Sequence, residues 1–170
     1  MSKRFWLFIG LYILILLIAA GFLFGKKFLP QEKVHYHAGF IVFQNNKKVD
    51  FSDYKYMDVK PCTADEKEVG EEDEQLEKAH LHDKVGDVVH VEQSNATWKD
   101  LFVNIHFPID YSKATAFVNG QIIPDFANQP IHPYESVVLF IGTVDKSHLK
   151  EAVTKKHIQE EEKRSESCGK

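Results

Sequence analysis

Residues 97–123 read TWKDLFVNIHFPIDYSKATAFVNGQII. Thr97 has the chemistry of a helix N-cap, with Asp100 at the third helical position. Trp98, Leu101, Phe102 and Ile105 recur at helical spacing, so one face of this helix is apolar. The helix ends near His106 to Pro108. Thr115 to Val118 and Gln121 to Ile123 then flank Asn119-Gly120. That dipeptide suits a two-residue hairpin turn, whose central positions both take positive φ.

Working outward, Ser136 to Ile141 is an apolar run of the kind found in a central strand. Upstream, His35 to Phe43 alternates and is rich in β-formers. Gln44 to Lys48 reads as a turn and Val49 to Phe51 as the start of a return strand, giving a hairpin from His35 to Phe51. Ala79 to Asp83 and Val88 to Glu92 are two short extended runs joined by a turn at Lys84 to Asp87 that contains Gly86. Between the hairpin and these runs, residues 62–78 form an acidic insertion crowded with Asp65, Glu66, Glu68, Glu71, Glu72, Asp73, Glu74 and Glu77. The order is hairpin, acidic insertion, strand, helix, hairpin, strand. This predicts an α+β domain over 35–145, with a mixed sheet covered by one helix. Residues 146–170 are highly charged, with Leu149, Val153 and Ile158 as apolar anchors, and read as a surface helix or frayed tail.

The 170-residue chain carries a formal net charge of −4 and no basic patch interleaved with aromatics, so nucleic acid is not an expected partner. Phe5 to Gly25 is uncharged and flanked by Lys3, Arg4, Lys26 and Lys27. It has the length of a bilayer-spanning helix, about 20 apolar residues. The expectation is a single-pass cell-membrane protein: residues 1–4 inside, 5–25 a transmembrane helix, 26–34 a linker, and the domain extracytoplasmic. Cys62 and Cys168 either pair in that compartment or remain two separate thiols.

Five histidines carry the chemistry. His35 and His37, and again His80 and His82, are His-x-His pairs, and His90 comes soon after. Residues two apart on a strand point to the same face, so each pair aims two imidazoles at one point. Neutral imidazole is a ligand for zinc and copper, and a site needs three or four ligands converging on one ion. His90 joins His80 and His82 if the turn at Lys84 to Asp87 folds its strand back. Asp83 and Glu92 are placed to orient an imidazole, to ligate, or to act as a base toward a metal-bound water. The acidic insertion beside His80 offers a means of concentrating cations, or is simply a solvated face.

Two sets of motifs carry resemblances. Thr97-Trp98-Lys99-Asp100-Leu101, Val118-Asn119-Gly120, Pro124 and Val137 to Ile141 resemble the β-grasp fold of small sulfur-carrier proteins. That implies a β-grasp-like sheet. The sulfur-carrier chemistry itself requires a C-terminal Gly-Gly, whereas this chain continues past Gly142-Thr143. His35-Tyr36-His37-Ala38, His80-Leu81-His82-Asp83, Gly86 and Val89-His90-Val91-Glu92 are similar to a group of small single-anchored bacterial envelope proteins. That similarity implies an envelope location and a shared histidine site.

Three functions are therefore expected to compete. One is a membrane-anchored metal-binding protein, a zinc or copper chaperone, sensor or store. The second is a metal-dependent hydrolase or lyase using Glu92 or Asp83. The third is a metal-free β-grasp module that docks an envelope protein partner and leaves its histidines dispersed. No Gly-rich phosphate loop and no Cys-x-x-Cys appears in the sequence.

Overall fold

A computed structural model describes residues 33–57 and 71–165. Its elements in chain order are β1 (Lys33–Gln44), β2 (Lys47–Lys48), α1 (Glu71–Lys78), β3 (Ala79–His80), β4 (Val88–Gln93), α2 (Trp98–Asn104), β5 (Ala114–Val118), β6 (Gln121–Ile123), β7 (Ser136–Ile141) and α3 (Lys155–Ser165). The strands form one mixed sheet in the order β3-β4-β1-β7-β5-β6, with β2 paired to the end of β1. β1 and β7 run parallel at the centre, from Gly39 opposite Ser136 to Gln44 opposite Ile141. The other pairings are antiparallel. The chain is thus α+β with a mixed sheet.

Both faces of the central strands are buried. Ala38, Phe40 and Val42 join one core with Trp98, Leu101 and Phe102 of α2. Ile41 and Phe43 join a second with Val138, Phe140, Val153 and Ile158. The N-cap reading of Thr97 holds as a capping box: the Asp100 N–H donates to Thr97 Oγ1, and the Thr97 N–H donates to Asp100 Oδ2 at 2.9 Å. Such a cap contributes about 1 kcal/mol. Asn119 and Gly120 both have positive φ, as the β5–β6 turn demands.

Three expectations are corrected. First, among the described residues no helix is long and apolar enough to cross a membrane. The longest of them, α3, has 11 residues and rises about 16 Å, half the thickness of a bilayer core. Residues 5–25, where the sequence places a transmembrane helix, lie outside the described residues, as do 1–4 and 26–32. Second, the hairpin from His35 to Phe51 is only a stub: Phe43 pairs with Lys48 and Gln44 with Lys47. Phe51 leaves the ladder to pack against Phe40, Tyr56 and Phe107, with ring centroids 5.0–5.5 Å apart. Third, one helix does not suffice to cover the sheet, and the charged tail is no appendage. A 3-10 turn (Lys146–Glu151) and α3 lay Val153 and Ile158 over the second face. Of the acidic insertion, residues 62–70, Cys62 among them, lie outside the described residues, as does Cys168.

Gly39 is what lets the C-terminal segment dock. A Cβ there would sit 2.5 Å from Val153 Cβ and 3.2 Å from Ile158 Cδ1. Gly86 is equally constrained, because a Cβ there would lie 2.5 Å from the backbone nitrogen of Ser52 and so displace the β3–β4 turn. Gly39→Val is therefore expected to destabilise the protein by about 1–3 kcal/mol through overpacking. Chemical denaturation measures this, and an unchanged midpoint would show that the segment does not depend on that close approach.

Candidate metal centre

The site is built by strand register. His37 on β1 lies opposite His90 on β4, and His90 lies opposite His80 on β3. These three imidazoles form a row across three adjacent strands; His35, at a register shift in β1, and His82, two residues past the end of β3, join the same cluster. The intervening residues Ala38, Ala79, Leu81, Val89 and Val91 point the other way and are fully buried in the core under α2. Beyond β3 the chain reverses through Asp83 and Lys84, both with positive φ, and the Val85 N–H donates to the His82 carbonyl at 3.0 Å. The β3 junction is held by Asn104 of α2, whose amide donates to the carbonyls of Gln75 and Ala79, each at 2.8 Å.

All five predicted histidines converge, with His90 at the hub. Its ring centroid lies 4.6 Å from those of His35 and His37, and 4.9 Å from those of His80 and His82. Two trios have one ligand atom each within 4.8 Å of one another: His35, His37, His90 and His80, His82, His90. Each of these groups can hold a metal ion.

The hydrogen bonds decide which nitrogens are available. His82 Nδ1 donates to Asp83 Oδ2 at 2.8 Å, and His90 Nε2 donates to Glu92 Oε1 at 3.2 Å, because a carboxylate only accepts. That leaves His82 Nε2 and His90 Nδ1 facing each other 3.0 Å apart. With both outward positions occupied by N–H, each inward nitrogen has a lone pair, and the gap between them takes one cation: a proton or a metal ion. Two imidazoles on one tetrahedral zinc, at about 2.0–2.1 Å each, place their nitrogens about 3.3–3.4 Å apart, so this gap need open by only a few tenths of an ångström. His80 Nδ1 likewise donates to the Leu76 carbonyl at 3.1 Å, so its Nε2 is the ligating atom.

Asp83 and Glu92 are thus engaged as acceptors from imidazoles, the arrangement that fixes tautomer and ring orientation in metal sites. Burial, reinforced by its neighbouring histidines, lowers the His37 pKa to about 3. Burial and His90 lower that of His80 to about 4. The His90 N–H holds the Glu92 carboxyl well below the usual carboxylate range. His37 and His80 are therefore neutral near pH 7, which is the ligating form. A cavity of about 10 Å³ touches His37, His82, Asp83, Val85, Val88, Glu161 and Arg164. It has room for about one water.

Glu162 was not singled out by spacing. Its Oε1 lies 3.8 Å from His37 Nδ1, and its carboxylate accepts from the Tyr134 hydroxyl at 2.9 Å. No local signal announces it, since it sits in a run of glutamates on α3; only the buried Ile158 four residues earlier hints that this helix is docked. Four other histidines lie outside these trios: His106, His132, His148, which stacks on Phe43, and His157, which bonds Asp87. No family model, no curated protein and no solved structure matches the chain, so neither sequence resemblance gains a relative to support it.

The lowered values for His37 and His80 set a pH dependence. In the unfolded chain both groups titrate near 6.5, so as pH falls the unfolded state takes up these protons first. Their contribution to stability is complete above 6.5 and is lost as pH falls toward 4 and then 3. Thermal melts of the metal-free protein at about pH 7.5 and about pH 5 test this, with the lower midpoint expected at pH 5. Equal midpoints would contradict it.

Proposed function

We propose that this protein is a metal-binding protein that holds one zinc or copper ion through histidine nitrogens and serves as a chaperone, sensor or store. The observation that carries this is the pair of inward nitrogens, His82 Nε2 and His90 Nδ1, 3.0 Å apart, with their outward N–H groups tied to Asp83 and Glu92. His80 adds a third imidazole to the same point. An all-imidazole set suits zinc and copper over calcium or magnesium, which prefer oxygen ligands.

Binding is favoured over hydrolase or lyase chemistry because the two carboxylates suited to act as a base are both engaged with imidazoles. The metal-free docking module expects dispersed histidines, whereas four rings surround His90 within 4.9 Å.

The test is metal analysis of the full chain, expressed without a polyhistidine tag and loaded with zinc or copper after chelator treatment. One ion per chain is expected, and His90→Ala is expected to lose it, because His90 belongs to both trios. Glu92→Gln is expected to weaken binding by about 10–100-fold. If the wild-type chain takes up neither metal, the proposal fails.

A further inference from the structure

The two trios of histidines share one member, His90. We propose that the five histidines form two overlapping seats for a single ion, and that the ion passes from one seat to the other while His90 stays bound. This rests on the metal-binding reading above and selects transfer over storage within it.

Three observations support it. His90 Nε2 is occupied by its N–H bond to Glu92, so the neutral ring offers one lone pair, on Nδ1, and one ion at a time. Two simultaneous ions would require His90 to give up its second proton and would set two dications close together across one ring. The outer rings are grouped around the hub rather than around each other: His37 and His82 are 6.4 Å apart, against 4.6 and 4.9 Å from each to His90. Each seat also has its own carboxylate. Asp83 bonds His82 in one, and Glu162 lies 3.8 Å from His37 in the other.

The exchange is a sequence of ligand substitutions. A bond from the ion to His82 or His80 breaks as one to His37 or His35 forms, with no change of oxidation state and no net proton transfer. His35 is the exposed member of the set, whereas His80 and His82 are half-buried. The His35 seat is therefore the one that an external ligand reaches, and the His80 seat is the one that holds the ion back.

Copper(II) added to the full chain tests this by native mass spectrometry and electron paramagnetic resonance. One copper per chain is expected, with two superimposed copper signals in the wild type. The double variant His35→Ala with His37→Ala should keep one copper and one signal. His80→Ala with His82→Ala should keep one copper and the other signal. Because the ion is shared between alternative seats, the association constants of the two double variants should add up to about that of the wild type. The wild-type spectrum needs no variant to fold, so it stands alone as a test. Two coppers per chain, a single wild-type signal, or a double variant that binds nothing while the other matches wild type would overturn the two-seat arrangement. A wild-type chain that takes up no copper or zinc would instead contradict the metal-binding reading itself.

Discussion

The register of β3, β4 and β1 is the constraint on which the site depends. Ala79, Leu81, Val89, Val91 and Ala38 are locked into the core beneath α2, and the alternation of a strand then forces His80, His90 and His37 onto the opposite face, with His82 following two residues past the end of β3. A slip of one residue would drive imidazoles into the apolar core and expose valines and leucine. The hydrophobic effect thus holds the ligands in place without touching them. Packing of α2, its capping box and the Asn104 clamp on the α1–β3 junction act on the site only by protecting that register.

Given the register, the electrostatics are set. Five imidazoles share one face, and burial makes a positive charge on His37 or His80 costly. Carboxylates sit at the edges of the cluster, where Asp83 and Glu92 accept outward N–H groups and turn the remaining lone pairs inward. His37 and His80 thus resist protons, and the cluster can hold a metal ion. The C-terminal segment closes the same face over Gly39 and contributes Glu162, so a stretch that looks solvated in sequence helps to enclose the site.

Much of this was legible in the sequence where the signal was local. The two His-x-His pairs, the Thr97 cap, the Asn119-Gly120 turn and the turn through Gly86 each rest on spacing or backbone chemistry within a few residues. The features that were not legible depend on distant contacts. The turn at Asn45-Asn46 suggests that β1 pairs along its length with the segment from Lys47 to Phe51. Instead β1 spends most of its length between β4 and β7, and only that placement brings His35 and His37 to His90. Docking of α3 rests on two apolar residues, Val153 and Ile158, and it works because Gly39 leaves bare backbone for them to meet. Charge density along residues 146–170 masked so small an anchor. The engaged roles of Asp83 and Glu92 depend on ring orientations that spacing does not fix.

The most direct measurement is X-ray absorption spectroscopy on the zinc-loaded full chain. A shell of three or four nitrogens at about 2.0–2.1 Å is predicted, with the outer-shell scattering of imidazole rings. A shell of oxygens without imidazole scattering, or one containing sulfur, would contradict a centre built on His90 and its neighbours.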